Sequence, residues 1–150
     1  MSNLIEHTYD VKLEWSEGKI GTLRSDDLDD SFEVATPPEF PGGIEGIWSP
    51  EHLFVASVSS CFMTTFTAIA EKSNLDFNKL SVPATGKLSN ESGKFLITEV
   101  ILRPTLVITE EAQKDKAHRI LEKAEKFCLI SSSINSKVIL EPEVLIAESV

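Results

Sequence analysis

One run constrains this chain more than any other: Ser49-Pro50-Glu51-His52-Leu53-Phe54-Val55-Ala56-Ser57-Val58-Ser59-Ser60-Cys61-Phe62-Met63. It opens with the plainest helix-start signal in the sequence. Ser49 is suited to cap free backbone amides. Pro50 fits the first helical position, where its missing N–H is no loss. Glu51 puts a carboxylate near the positive end of the helix dipole. Through Phe66, Ile69 and Ala70 the residues stay apolar or small on nearly every face, and polar residues collect again at Lys72-Ser73-Asn74. A helix that is apolar all round is expected to be buried. At roughly 22–25 residues it is about 35 Å long, so the other elements must wrap around it. Cys61 lies in its middle, either as a small hydrophobe or as a reactive thiol.

A chain of 150 residues is expected to form a single domain, 1–150, with an ordinary core. The central helix carries Ser57, Ser59, Ser60, Thr64 and Thr65 and follows a proline-rich loop. It therefore reads as a core helix and not a membrane span. No signal-type apolar run follows Met1-Ser2-Asn3. A soluble, cytoplasmic protein is expected. The formal net charge of −10 repels phosphate backbones and argues against nucleic acid as a partner. In a reducing compartment its two cysteines, Cys61 and Cys128, rest as thiols.

Around the helix the pattern predicts an α+β fold with small antiparallel sheets. Residues 4–15 suggest a first strand, with Tyr9, Val11, Leu13 and Trp15 on one face. Ser16-Glu17-Gly18-Lys19 is a turn, with returning strands at Ile20–Arg24 and Phe32–Ala35. The loop from Thr36 to Trp48 is either a connector or a segment that delivers side chains to a site. Its glycines match no dinucleotide fingerprint. Apolar alternation from Leu80 to Leu88 and from Leu96 to Ile108 predicts a long hairpin with one buried side. Thr109 is expected to cap a second, amphipathic helix with Ala117, Ile120, Leu121 and Ala124 on one stripe. A short helix follows near Cys128, then a last strand from Val138 to Ile146 with Pro142 at an edge or bulge.

Spacing alone makes no motif of two cysteines 67 positions apart. His7, His52 and His118 are scattered, and no metal site or cofactor is indicated. A reactive Cys61 needs a lowered thiol pKa. The helix dipole acts within the first turn and does not reach it. A cation is needed, and Arg24, Lys19 and Arg103 are the candidates, with Glu51 as carboxylate partner. Glu51 and Cys61 lie about 15 Å apart along one helix. A site that uses both implies a homodimer in which a second copy supplies Glu51.

Residues 49–62 look like the first-cysteine motif of the OsmC/Ohr family: Pro-Glu at a helix start, small residues, then Cys followed by an aromatic. Ala124-Glu125-Lys126-Phe127-Cys128-Leu129-Ile130-Ser131 is similar to its second-cysteine motif. The order of elements agrees over most of the chain. The resemblance implies an intertwined homodimer with two-cysteine sites at the subunit interface, reducing organic hydroperoxides without haem or metal. It makes Cys61 the peroxidatic thiolate and Cys128 the resolving thiol, re-reduced by an external dithiol. It pairs Glu51 with an arginine that stabilises the thiolate. The family carries that arginine in the first hairpin near the turn, where Ser16-Glu17-Gly18-Lys19-Ile20-Gly21 has none. Arg24, or Lys19 in its place, is left for the role. Residue 129 is Leu where the motif has proline, and Pro37-Pro38-Glu39-Phe40 with Trp48 looks like a less characterised branch. Phe40, Trp48, Phe54, Phe62, Met63 and Phe127 are read as core or as an apolar cleft. Two other functions stay open: a repurposed relative that binds a small apolar ligand, and a different cysteine chemistry such as thiol transfer or thioester hydrolysis.

Overall fold

The computed structural model describes residues 3–147, and the chain divides into two compact units, Met1–Pro50 and Glu51–Val150. The first holds an antiparallel meander of β1 (Lys12–Glu17), β2 (Ile20–Arg24) and β3 (Phe32–Ala35). Gly18, at φ 52°, supplies the left-handed residue of the β1–β2 turn, and Trp15 Nε1 closes it by donating to the Gly18 carbonyl at 3.0 Å. The first strand starts at Lys12 and not at residue 4, because Lys12 pairs with Arg24, where β2 ends. Among the described residues before it, none pairs with β2. Tyr9, Val11, Leu13 and Trp15 are all exposed, so the expected apolar face is uncovered in the single chain.

Helix α1 (Pro50–Lys72) runs as its start signal predicts. It stops where Asn74 takes a left-handed φ of 54° and the Leu75 amide reaches back to the Ala70 carbonyl at 2.9 Å. Burial on every face is not what the single chain has. Val58, Phe62, Phe66 and Ala70, each four residues from the next, form the buried stripe. The other faces are half-buried or exposed, because the sheets and α2 of one chain cover one side of the helix.

The sheets of the second unit owe their shape to three prolines. Each arm of the expected hairpin and the last strand is broken once: at Pro83 between β4 (Lys79–Ser81) and β5 (Ala84–Ser89), at Pro104 between β6 (Leu96–Leu102) and β7 (Thr105–Ile108), and at Pro142 between β8 (Lys137–Leu140) and β9 (Glu143–Ile146). Proline brings no N–H to a ladder. Aligning three of them makes two three-stranded sheets, β4-β7-β9 and β5-β6-β8. Neither is purely antiparallel, which corrects the expectation: β6 pairs β8 and β7 pairs β9 in parallel. The chain returns to the sheets through a helix, and a helical crossover delivers a parallel strand.

That helix, α2 (Lys114–Phe127), buries Ala117, Ile120, Leu121 and Ala124 as its periodicity predicts. Thr109 does not cap it. Its hydroxyl meets Asn78 Oδ1 at 3.0 Å, and a 3₁₀ turn (Glu111–Gln113) leads into the helix. Short α3 (Leu129–Ser132) follows at once. Val58, Phe62, Phe66, Val100, Leu102, Leu106, Ile108 and the α2 stripe make one core.

β5 lies close on α1 because residue 86 is glycine. A Cβ there would run into Val55 Cγ2. Val55 is β-branched and held in one rotamer on a helix, so it has no room to swing aside. Gly86→Ala is expected to cost about 1–2 kcal/mol through overpacking, despite the backbone entropy alanine saves. A lowered midpoint in urea with unchanged slope checks this.

Candidate active site

Cys61 sits mid-way along α1, half-buried. Cys128 is fully buried at the junction where α2 ends and α3 begins. Two helical segments packed on one core thus carry the thiols, and each thiol acts on the titration of the other. The junction is short because Cys128 is extended (φ −64°, ψ 119°), while its carbonyl accepts the Ser132 amide at 3.1 Å to start α3.

The two thiols are tuned in opposite directions. Burial alone pushes the Cys61 thiol up. The Ile130 amide, the Cys128 thiol, the Thr65 hydroxyl and the Leu129 amide outweigh it and bring the thiol below its ordinary range. Burial also pushes Cys128 up. The hydroxyl and amide of Ser131 draw it part-way back, and Cys61 beside it adds to the rise. The two shifts make Cys61 the more acidic thiol of the pair. Leu129 has a direct part in this, because a proline at that position would have no amide to offer Cys61.

Glu51 lies in the first turn of the same helix, ten residues before Cys61, so the two do not meet within one chain. Its Oε1 is buried with no hydrogen-bond partner among the described residues. Such an orphan is costly unless something outside satisfies it. Arg24, in the first unit, pairs with Asp26 at 2.9 Å and more loosely with Glu14 at 3.9 Å, all three exposed. Lys12 first, and Arg24 second, hold the Asp26 carboxyl below its ordinary range. Lys19 follows Gly18 in the turn, its stem against Gly42. Arg103, between β6 and β7, donates to Glu141 at 3.1 Å and to Thr85 at 3.0 Å. Of the residues read as core or cleft, Phe62 belongs to the core and Phe54 packs against it, while Met63 and Phe127 are exposed.

A family model described as "OsmC-like protein" matches residues 43–143. The chain belongs to the OsmC-like family. The match takes in both cysteines and the whole of α1. A Bacillus subtilis protein called YmaD, itself uncharacterized, is 29% identical over 145 residues, covering 93% of this chain and 95% of that one. The organic hydroperoxide resistance protein OhrB of Bacillus subtilis is 26% identical over 122 residues, covering 81% and 86%. Among solved structures, an OsmC-like protein of unknown function from Vibrio cholerae superimposes with a TM-score of 0.82 at 25% identity, covering 91% of this chain and 99% of that one. An organic hydroperoxide resistance protein from Elizabethkingia anophelis superimposes with a TM-score of 0.73 at 23% identity, covering 95% and 100%. Helix α1 is long and apolar enough to cross a membrane. Its buried stripe, Val58, Phe62, Phe66 and Ala70, packs into the core.

Sequence reasoning singled out the two cysteines but missed what surrounds them. Thr65 is four residues after Cys61 and on the same helix face, a spacing visible in the sequence. Ser131 and the amides of residues 129 and 130 become visible only once α3 is known to begin at Leu129.

Proposed function

We propose that this protein is a thiol-dependent peroxidase for organic hydroperoxides, with Cys61 as peroxidatic and Cys128 as resolving cysteine. The observation that carries the reading is the opposite tuning of two neighbouring thiols. The Cys61 thiolate attacks the terminal oxygen of the hydroperoxide. The O–O bond breaks, the alcohol leaves after taking a proton, and the sulfur becomes a sulfenic acid. The Cys128 thiol gives up its proton and attacks that sulfur. The S–O bond breaks, water leaves, and a disulfide joins the two cysteines. A soluble dithiol restores both thiols by exchange.

The proposal includes a homodimer in the cytoplasm. Three observations support a second copy: the unpartnered buried Glu51 oxygen, the uncovered row of Tyr9, Val11, Leu13 and Trp15, and the partly exposed faces of α1. The second copy contributes Glu51 to the site and orients the cation that faces the thiolate. Arg24 is proposed for that role. Its present ion pairs are exposed, and exposed pairs are weak and screened by salt, so they do not hold it in place. Lys19 is the substitute, a point charge without the planar fork of arginine.

Titrating the reduced protein with tert-butyl hydroperoxide, and separately with hydrogen peroxide, tests the reading. Fast stoichiometric loss of two hydrogens in intact mass, with the organic peroxide preferred, is expected. Cys128→Ser is expected to react just as fast but to stop at the sulfenic acid, gaining one oxygen atom and no disulfide. A second reading, a repurposed family member that binds a small apolar ligand, draws on the absence of arginine in the β1–β2 turn. Oxidation of the wild type no faster than a free thiol would favour it.

A further inference from the structure

The hydroxyls of α1 follow a pattern with two exceptions. Ser57 donates to the Phe54 carbonyl at 2.6 Å, Ser60 to Ala56 at 2.7 Å, Thr64 to Cys61 at 3.1 Å and Thr67 to Thr64 at 2.9 Å. These are the local bonds that serine and threonine ordinarily make on a helix. Ser59 leaves the helix to meet the Val82 carbonyl at 2.6 Å. Thr65 alone among these turns its hydroxyl to a sulfur, with Oγ1 3.9 Å from Cys61 Sγ. It is partly buried there, one helical turn from the thiol.

The direction of that contact depends on the state of the sulfur. A thiol can donate to Oγ1 or accept from it, whereas a thiolate has no proton and only accepts. A valine of the same shape would fill the same space and offer nothing to the anion. On these grounds we propose that Thr65 is a positioning residue for Cys61: its hydroxyl turns round on ionisation, becomes a donor to the thiolate, and holds the sulfur in its attacking state. The other groups that act on this sulfur, among the described residues, are the Ile130 and Leu129 amides and the Cys128 thiol, and the only one that titrates is Cys128. Thr65 therefore supplies the side-chain hydroxyl in a set otherwise made of backbone amides and one thiol. The role rests on Cys61 being the attacking thiolate, but its test needs no peroxide turnover.

The test is the rate of Cys61 alkylation by iodoacetamide from pH 5 to pH 10, with the modified peptide identified by mass, for wild type, Thr65→Val and Thr65→Ser. A hydrogen bond to a charged group is lost in Thr65→Val. Alkylation at the acid end is expected to fall about tenfold, near the low end for a bond to a charged group. Above both pKa values the deficit should vanish or reverse, because a thiolate of higher pKa is the stronger nucleophile. Thr65→Ser keeps the donor and should follow wild type. A Thr65→Val profile that superimposes on wild type, or that is slowed by one factor at every pH, overturns the proposal. Thr65→Ala, which also lacks the hydroxyl, gives the same reading should the valine variant fail to fold. Peroxide consumption is measured separately on the same proteins. Absent peroxide consumption with a shifted alkylation profile would sink the peroxidase reading and leave Thr65 in its role; the converse result would do the opposite.

Discussion

Cys61→Ser is expected to reduce hydroperoxide consumption to the rate seen without protein. Cleaving the O–O bond needs a polarisable anion that accepts oxygen, and the thiolate is that anion. A serine hydroxyl stays protonated at any pH the fold tolerates, and the Cys128 thiol beside it is buried with its pKa raised. The expected loss is at least roughly a thousandfold, about 4 kcal/mol in the barrier. The wild type also has a predictable acid limb. Because the Cys61 thiol titrates below its ordinary range, the thiolate persists into more acidic solution than it would for a free cysteine. The rate is flat above that pKa and falls as pH drops through it. An initial-rate series with tert-butyl hydroperoxide reads both effects. Residual turnover in Cys61→Ser above about one hundredth of wild type, a barrier change of under roughly 3 kcal/mol, would mean that another group attacks the peroxide.

How far the sequence reached depended on how local each signal was. The start of α1 at Pro50 and the stripe Ala117, Ile120, Leu121 and Ala124 are carried by residues within a few positions of one another, and both are where they were expected. Thr109 failed as a cap because Asn78, from a distant part of the chain, takes its hydroxyl. Pro83 and Pro104 sit inside alternating runs, so alternation hid the breaks until the sheets showed all three prolines in line. Parallel pairing of β8 and β9 was not legible at all, since it depends on where α2 returns the chain. The thiol pair belongs to the same class. Its 67-residue spacing carries no geometry, and only the packing of α1 against the α2–α3 junction puts the sulfurs together. Resemblance to OsmC/Ohr motifs supplied what spacing lacked. It named the cysteines but not the amides, Thr65 or Ser131 that tune them.

Phe66→Ala is expected to destabilise the fold more than Gly86→Ala or any change at the thiol pair. Phe66 is fully buried in the α1 stripe, stacked on Phe62 at 6.4 Å and edge-on to Phe77 at 5.3 Å. Removing its ring takes away both aromatic contacts and leaves a cavity between α1 and the sheets. Such truncations cost about 3–5 kcal/mol, a large share of the roughly 5–15 kcal/mol that holds a domain together. For a chain of this length each kcal/mol lowers Tm by about 2–4 °C, so a fall of about 6–20 °C is expected in calorimetry or thermal circular dichroism. Met63 provides the contrast on the same helix. Its side chain is 42% exposed, and Met63→Ala is expected to change Tm by less than about a quarter as much when the protein is dilute. If the open faces of α1 are covered by a second copy, the Met63→Ala penalty grows with protein concentration, while that of Phe66→Ala, seated in the core of a single chain, does not. A small effect of Phe66→Ala would mean that this core is not what holds α1, and with it Cys61, in place.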